Sequence, residues 1–122
     1  MKQIVCLLID DDFEEAEIFQ YALEEIPFPV KCINVKSGKE ALTWLARHPE
    51  PDYIFLDMNM PKMGGKECMK QIKQINAVAH VPVVLYSNAF IESEKPELNS
   101  LGAEGFILKT ASVFDLHNTL SA

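Results

Sequence analysis

The first third of the chain alternates between continuous apolar runs and stretches with helical periodicity. Residues 3–9 form an apolar run without alternation, which is typical of a strand buried on both faces of a sheet. From Glu14 the apolar positions recur at spacings of three and four, which predicts a helix. We expect Asp12 as its N-cap, with Pro27 and Pro29 ending it. The apolar positions of this helix are Ala16, Phe19, Ala22, Leu23 and Ile26.

Residues 30–35 continue the pattern as a second, partly alternating strand. Ser37 and Glu40 then form a capping box, the sequence signature of a helix N-terminus. Pro49 and Pro51 end this second helix, because proline cannot continue it. The inner face of the helix carries Ala41, Leu42, Leu45 and Ala46.

The apolar run of residues 53–56 predicts a third strand, which closes on Asp57. A loop over residues 58–65 follows, and a third helix begins near Gly65. The inner face of that helix carries Cys68, Met69, Ile72 and Ile75. Residues 81–86 then predict the fourth strand.

The last third of the chain has weaker signals. A fourth helix is predicted over residues 90–101, where Pro96 either delays its start or bends it. Gly102 and Gly105 are expected to flank a turn into a short strand over residues 106–108. The inward positions of the fourth helix are Ile91, Leu98 and Leu101.

A fifth helix, capped by Ser112 and Asp115, completes an alternation of five strands with five helices. Its apolar positions are Val113, Leu116 and Leu120. Short connections between alternating strands and helices favour right-handed crossovers and a parallel sheet with helices on both faces. We therefore predict one α/β domain over residues 1–122, with a doubly wound, flavodoxin-like sheet in the order 2-1-3-4-5.

The composition is that of a globular protein, with 48% hydrophobic and 24% charged residues among 122, which excludes disordered and fibrous classes. No apolar stretch reaches the roughly 18 residues of a membrane span. The chain starts with a strand rather than a signal peptide, so we expect a cytoplasmic protein. Cys6, Cys32 and Cys68 are widely spaced among apolar neighbours, which predicts free buried thiols.

The net charge of −7 disfavours binding to nucleic acid backbones and anionic membranes. One group of basic residues recurs at helical spacing after the third strand, and a solvated helix face is its favoured interpretation. This group is Lys62, Lys66, Lys70 and Lys73. We therefore expect no direct nucleic acid binding and no membrane partner.

Two of the predicted strands end in carboxylates. Asp57 closes the third strand, and the acidic stretch Asp10 to Asp12 closes the first in the same way. Asp57 alone could simply cap a turn. The order 2-1-3-4-5 makes the first and third strands neighbours, so Asp10, Asp11 and Asp57 are expected to converge at the carboxyl edge of the sheet, where ligands bind.

The residue types at this edge suit a divalent cation and a phosphoryl group. Carboxylates this close repel one another, and Mg²⁺ or Mn²⁺ with oxygen ligands relieves the repulsion. No His or Cys favours zinc, and neither acidic stretch has the glycine and distal glutamate of a calcium loop. Ser87 and Lys109, which alone would be assigned as a helix cap and a solvated side chain, end the fourth and fifth strands. A phosphoryl group on Asp57 would share its oxygens among the cation, the hydroxyl and the ammonium, with the carboxylate as nucleophile.

Four motifs, LLIDDD, FLDMNMPKMGG, VVLYSNA and GAEGFILK, resemble those of response-regulator receiver domains in order and spacing. The resemblance covers essentially the whole chain, and the family includes the bacterial chemotaxis regulator. It implies that Asp57 is the phosphoacceptor, that Asp11 binds a metal ion directly and that Asp10 binds it mainly through water. It also implies that the backbone carbonyl of Asn59 completes the metal shell and that Lys109 contacts the phosphate.

The resemblance further implies a switch and its partners. A histidine kinase or a histidine phosphotransfer protein would donate the phosphoryl group, and the chain would catalyse only its own phosphorylation and dephosphorylation. The phosphoryl group would draw the Ser87 hydroxyl inward, and Phe106 would turn into the vacated space. The face built from the fourth helix, fifth strand and fifth helix would then bind an unknown output protein or domain. A phosphorylation-dependent dimer is compatible with this scheme.

Two residues depart from the pattern of the family. Phe106 has no hydroxyl where many relatives have tyrosine, so only burial drives its inward turn. Thr110 stands where the family usually has proline, commonly with a cis bond. Since a cis bond before threonine costs about 3 to 4 kcal/mol, against under about 1 kcal/mol before proline, we expect a trans bond after Lys109 and a slightly displaced Lys109 ammonium.

Three alternatives share parts of this pattern. An aspartate-nucleophile phosphatase normally needs a second acid two residues after the nucleophile, where this chain has Asn59. A flavin-binding module has the same fold but needs a Ser/Thr/Gly-rich phosphate cradle, where this chain has three aspartates. A receiver that only scaffolds would keep the fold without being phosphorylated. The sequence leaves open whether the chain acts alone or belongs to a longer regulator.

Overall fold

The computed structural model describes residues 3–48, 51–60, 62–109 and 113–121. Its strands are β1 Ile4–Ile9, β2 Val30–Val35, β3 Tyr53–Asp57, β4 Val83–Ser87 and β5 Ala103–Leu108. Its α-helices are α1 Phe13–Glu24, α2 Gly38–Arg47, α3 Gly65–Lys73, α4 Lys95–Ser100 and α5 Val113–Ser121, and a 3-10 helix, Glu92–Glu94, precedes α4. Within these residues five parallel strands lie in the order β2-β1-β3-β4-β5, which confirms the predicted α/β fold.

Each face of the sheet is covered by its own set of helices. Along β1, Leu7 and Ile9 pack on the face that carries α2, α3 and α4, whereas Cys6 and Leu8 pack on the face that carries α1 and α5. All four side chains are fully buried. Because successive side chains of a strand point to opposite faces, a sheet buried on both sides needs the continuous apolar run that β1 shows.

Asp12 and Ser37 cap the first two helices, as predicted. The Oδ1 atom of Asp12 accepts a hydrogen bond from the Glu15 N–H at 3.1 Å, and the Oγ atom of Ser37 accepts one from the Glu40 N–H at 3.0 Å. Each bond satisfies a backbone donor that the start of a helix leaves without a partner. The cap at Asp12 makes α1 leave the sheet edge immediately after the acidic stretch.

The fourth strand begins later than predicted. β4 starts at Val83, because Pro82 has no N–H to donate to the ladder. The N–H of Val81 donates instead to the Val78 carbonyl at 3.0 Å, which makes it part of a turn. The strand still ends at the sheet edge, where Ser87 is its last residue.

The fifth strand begins earlier than predicted. β5 starts at Ala103, so the expected turn at Gly105 is wrong. The register shifts between Val83 and Val84 of the neighbouring strand, where Val84 pairs with Gly105. A glycine within a strand often marks such an irregularity, which a sequence pattern does not distinguish from a turn.

The fourth helix is shorter than predicted. Residues 92–94 form the 3-10 helix, and α4 begins only at Lys95. Pro96 lies in the first turn of α4, where its missing N–H removes no helical hydrogen bond, so it delays the start rather than bending the helix. Ile91 precedes the helix and is 62% exposed, so its predicted inward position is wrong.

The prediction that the lysines after the third strand form a solvated helix face is wrong for Lys73. The Nζ atom of Lys73 donates hydrogen bonds to the backbone carbonyls of Ala79 and Val81, each at 3.1 Å. These contacts tie the end of α3 to the segment that leads into β4. Lys66 instead forms an exposed ion pair with Glu97 at 2.8 Å.

The three cysteines are free thiols, as predicted, although Cys32 is only half-buried. Among the helices of the described residues, none is long and apolar enough to cross a membrane. The predicted cap of α5 at Ser112 and the predicted trans bond before Thr110 lie outside the described residues.

Candidate functional site

Three carboxylates meet at the carboxyl edge of the sheet. Asp10 follows β1 and Asp57 closes β3, and these strands are neighbours with Ile9 opposite Leu56. Asp10, Asp11 and Asp57 each offer a carboxylate oxygen, and these oxygens lie within 4.8 Å of one another. Asp10 and Asp57 are buried, whereas Asp11 is exposed. The fold therefore brings these three predicted site residues together.

One oxygen of Asp10 is buried without a donor. Its Oδ1 atom accepts a hydrogen bond from the Asp12 N–H at 2.9 Å, but its Oδ2 atom has no hydrogen-bond partner in the described part of the chain. Burial raises the pKa of Asp10 to about 7; the Asp12 N–H opposes this rise and the charge of Asp57 adds to it. Because a buried acceptor without a partner costs roughly 1 to 3 kcal/mol, this position suits a cation that would take the oxygen as a ligand.

Asp57 is held through one of its two oxygens. Its Oδ1 atom accepts a hydrogen bond from the Asn59 N–H at 2.9 Å and lies 3.1 Å from the Nζ atom of Lys109. No hydrogen bond from the described residues engages its Oδ2 atom. The carboxylate is thus fixed in orientation on one side and open to a ligand or reactant on the other.

Lys109 brings the positive charge of the site. Its N–H donates to the Ser87 carbonyl at 2.8 Å, which fixes the backbone at the end of β5. The side chain is only 8% exposed, and its Nζ atom lies 2.8 Å from Oε1 of Glu15 and 3.1 Å from Oδ1 of Asp57. Burial alone would lower the pKa of Lys109, but the hydrogen bonds to Glu15 and Asp57 outweigh it and raise that pKa. Lys109 is therefore an ammonium shared between two carboxylates.

Ser87 lies at the same edge, but its hydroxyl bonds to other partners than the carboxylates among the described residues. Its hydroxyl donates to the Ala89 carbonyl at 2.9 Å and accepts from the Asn59 side-chain amide at 3.2 Å. The described contacts of the hydroxyl thus run to the following loop and to Asn59, not to Asp57. Asn59 connects Ser87 to the carboxylates: its backbone N–H donates to Asp57, and its side-chain amide donates to Ser87.

Phe106 lies away from the carboxylates. It pairs with Leu85 in the sheet and is half-buried. Its ring packs edge-on against the ring of Phe90 at a centroid distance of 5.2 Å, and the Nζ atom of Lys95 lies 5.2 Å from its centroid. A cation over an aromatic face is attracted by the ring quadrupole, so Lys95 stabilises the present position of Phe106.

The donor set of this edge fits a magnesium or manganese ion. The cluster offers carboxylate oxygens, one of them buried and without a donor, and no His or Cys is among the residues that group there. Hard divalent cations prefer such oxygen ligands, and they offset the mutual repulsion of the three carboxylates. Asp10, Asp11 and Asp57 could hold the ion, together with the backbone carbonyl of Asn59 that the sequence resemblance implies.

Glu15 is a residue of this site that the sequence analysis missed. It lies in the first turn of α1 and contacts Lys109, which is 94 residues further along the chain. A glutamate early in a helix is ordinarily explained by the helix dipole. The only sequence signal was its position one turn after the acidic stretch, on a helix that starts at the site edge.

Comparison with known proteins identifies similar chains over nearly the whole length. The sequence model of one protein family, the response regulator receiver domain, matches residues 6–121 of this chain. The two-component response regulator ORR5 of Oryza sativa subsp. japonica is 30% identical over 115 residues, which cover 94% of this chain and 84% of ORR5.

Two solved structures are similar in both fold and sequence. The phosphorylated cyanobacterial phytochrome response regulator RcpA has a TM-score of 0.80 and 27% identity, with 98% of this chain and 89% of that chain covered. The Mn²⁺-bound form of response regulator Rcp1 has a TM-score of 0.77 and 25% identity, with 96% of this chain and 88% of that chain covered.

Proposed function

Because this chain belongs to the response regulator receiver domains, which serve two-component signalling, we propose that Asp57 accepts a phosphoryl group and thereby switches a protein-binding face. One observation carries the proposal: Asp57, a buried aspartate with one open oxygen, belongs to a carboxylate cluster that suits a cation and also contacts a buried lysine. A flavin-binding module and a phosphatase share the fold or the nucleophile, but neither is the family that the chain belongs to.

The chemical step uses the open oxygen of Asp57. With Oδ1 engaged by the Asn59 N–H and the Lys109 ammonium, Oδ2 attacks the phosphorus of the donor. An O–P bond forms while the P–N bond of a phospho-histidine breaks, and the electron pair remains on the imidazole of the donor. Attack by water later breaks the acyl phosphate and returns the carboxylate and inorganic phosphate. The chain therefore modifies itself rather than turning over a separate substrate.

The residues around Asp57 supply charge and orientation for this step. Asp10, Asp11, Asp57 and the Asn59 carbonyl would hold Mg²⁺ or Mn²⁺, and the ion when bound would offset the negative charge of the phosphoryl oxygens. Lys109 would donate to another phosphoryl oxygen, as a point charge rather than a bidentate fork. Two solved relatives, the phosphorylated response regulator RcpA and the Mn²⁺-bound form of response regulator Rcp1, support this proposal by analogy.

The switch would begin at Ser87. A phosphoryl oxygen on Asp57 is a charged acceptor and competes with the Ala89 carbonyl for the Ser87 hydroxyl. Release of Ala89 would free the loop after β4, and Phe106 would leave its contacts with Phe90 and Lys95 to turn inward. The face formed by α4, β5 and α5 would change in consequence, as a shift between two states.

The partners follow from this scheme. A histidine kinase or a histidine phosphotransfer protein would donate the phosphoryl group, and an output protein or domain would bind the switched face. The net charge of −7 supports protein partners over nucleic acid. The expected cytoplasmic location, the single domain over residues 1–122 and the phosphorylation-dependent dimer stay predictions.

Intact mass after incubation with acetyl phosphate, with and without Mg²⁺, tests the proposal directly. We expect a gain of one phosphoryl group that requires Mg²⁺ and is lost in Asp57→Asn. Asp12→Asn is the matched control, because asparagine also caps a helix and Asp12 lies outside the carboxylate cluster, so this variant should be phosphorylated normally. A folded protein that gains no mass under any condition would favour the scaffold alternative instead.

A further inference from the structure

Glu15 gives the site a fourth carboxylate that faces the lysine rather than the cluster. Its Oε1 atom lies 2.8 Å from the Nζ atom of Lys109, and the two side chains are 29% and 8% exposed. The contact joins the first turn of α1 to the end of β5 across the carboxyl edge of the sheet. The contact is shorter than the 3.1 Å between the same Nζ atom and Asp57.

The ammonium of Lys109 has three N–H donors; it donates a hydrogen bond to Glu15 at 2.8 Å and lies 3.1 Å from Oδ1 of Asp57. A phosphoryl group on Asp57 requires the same ammonium for one of its oxygens. Glu15 therefore competes with the phosphoryl group for Lys109, and its own negative charge lies close to where phosphoryl oxygens would gather. Both effects oppose phosphorylation.

The same charge has the opposite effect on a divalent cation. Asp10, Asp11, Asp57 and Glu15 carry four negative charges against the single positive charge of Lys109 when all are ionised. A cation is attracted by this surplus, whereas an incoming phosphoryl group is repelled by it. A carboxylate at position 15 thus favours the metal-bound, unphosphorylated state.

We propose that Glu15 is a positioning residue that holds the Lys109 ammonium and acts as a brake on phosphorylation of Asp57, while it increases the affinity of the site for Mg²⁺. This role rests on the proposed function, because it concerns the reactivity of the same aspartate. Glu15 acts through Lys109 and through its charge, and it does not contact Asp57 in the described structure.

Glu15→Gln is the informative change, since glutamine keeps the length and an oxygen acceptor but removes the charge. Glu14→Gln is the matched control. Glu14 is adjacent in the same helix turn, is exposed and forms no ion pair within the described residues. The control therefore removes the same charge from the same helix without touching Lys109.

Two quantities should be measured for each variant: the Mg²⁺ affinity by calorimetry, and the rate of phosphorylation by acetyl phosphate at saturating Mg²⁺ by intact mass. For Glu15→Gln we expect Mg²⁺ affinity to fall and the phosphorylation rate to rise, each by about three- to tenfold. Glu14→Gln should change neither by more than about twofold. Glu15→Ala, which also removes the acceptor, should change both quantities in the same directions as Glu15→Gln.

The expected changes in Mg²⁺ affinity and phosphorylation rate have opposite directions. This distinguishes the proposed role from structural damage to the site, which would weaken both metal binding and phosphorylation. If Mg²⁺ affinity and phosphorylation rate both fall in Glu15→Gln, or if neither changes, the proposed role of Glu15 is wrong. The proposed function is unaffected by that result as long as the wild-type protein is phosphorylated. Wild-type protein that is not phosphorylated at all overturns the proposed function, and the role of Glu15 with it.

Discussion

The Nζ atom of Lys109 lies 3.1 Å from Oδ1 of Asp57, between side chains that are only 8% and 2% exposed. The pair joins the ends of β5 and β3, which are separated in the sheet by β4. Because few water molecules reach it, this ion pair is screened far less than one on the surface. Its effect on stability should therefore differ from that of an exposed pair.

Lys109→Met should lower the free energy of unfolding by about 2 to 4 kcal/mol, since it leaves two carboxylates, Asp57 and Glu15, without their cation. Lys66→Met is the control, because the pair of Lys66 with Glu97 has the same 2.8 Å distance as that of Lys109 with Glu15 but side chains that are 45% and 60% exposed. The control should lose much less stability, because water and salt screen an exposed ion pair. Urea denaturation measures the free energy of unfolding of both variants. Equal losses in the two variants would contradict the conclusion that Lys109 forms buried ion pairs.

The stability of the metal-free protein should fall as the pH rises from about 4 to about 7. Burial raises the pKa of Asp10 from its ordinary value of 3.8 to about 7, so within this range the folded state binds a proton that the unfolded chain has released. Stability therefore decreases with increasing pH, by roughly 1 to 3 kcal/mol across the window. Urea midpoints at pH 5 and pH 8 measure this change.

Asp10→Asn serves as the control for the pH dependence, because it removes the titrating group and nearly preserves the shape. The difference between the two pH values should shrink in this variant. Mg²⁺ at pH 8 should stabilise the wild-type protein and have less effect on the variant. An unchanged pH profile in Asp10→Asn would show that other groups cause the dependence.

Gly105→Ala should stabilise the protein by about 0.5 to 1 kcal/mol. A Cβ atom at Gly105 would meet the side chain of Val84 at 3.7 Å, an ordinary contact, and Gly105 lines a cleft of about 380 Å³. Gly102→Ala should instead destabilise by more than about 1 kcal/mol, because Gly102 has φ +119° and its added Cβ would lie 2.8 Å from Cε of Lys73. Thermal unfolding compares the two, and equal shifts in Tm would contradict this distinction.

The native thiols should react slowly with an alkylating reagent at pH 8. Burial raises the pKa of Cys68 to about 11 and that of Cys32 to about 12, and it raises the pKa of Cys6 above the ordinary range. Since the thiolate is the reactive form, only a very small fraction of Cys68 would be reactive at this pH. Mass spectrometry should show little modification in buffer and three modified cysteines in urea. Rapid native labelling would contradict the burial of these groups.

Ser87→Ala should separate phosphorylation from the switch. Loss of one hydrogen bond to the charged phosphoryl group, worth about 1.5 to 3 kcal/mol, should slow phosphorylation by roughly ten- to hundredfold. Without the hydroxyl that now holds Ala89, the amide NMR shifts of Ala89 and Phe106 should change much less on phosphorylation than in the wild type. Ser100→Ala, which removes an exposed serine hydroxyl from the end of α4, is the control. Undiminished shifts at Phe106 in Ser87→Ala would contradict the proposed route.

The order of the strands and the residues at the sheet edge could be predicted from local patterns. A continuous apolar run such as that of β1 identifies a strand buried on both faces, and short αβ connections restrict how such strands can pair. Because parallel strands all end at one edge, the positions of Asp10, Asp57 and Lys109 at their strand ends placed them together before any distance was known.

Elements with weak local signals were predicted less well. Ile91 lies before α4 because Pro96 favours the first turn of a helix, and no periodicity distinguishes that start from a longer, bent helix. Gly105 lies within β5 because its partner strand has an irregular register there. The position of Gly105 depends on pairing with a neighbouring strand, which a single segment does not encode.

The sequence by itself determined the alternation of elements, the strand order and which residues stand at the carboxyl edge, because these follow from periodicity and chain connectivity. Only the tertiary structure decided which atoms meet there. The approach of Glu15 to Lys109 across 94 residues, and the buried Oδ2 of Asp10 without a donor, depend on how α1 and the strand ends pack in three dimensions. Long-range contacts of this kind arise from side-chain geometry that no local pattern contains, and they set the charge balance at Asp57.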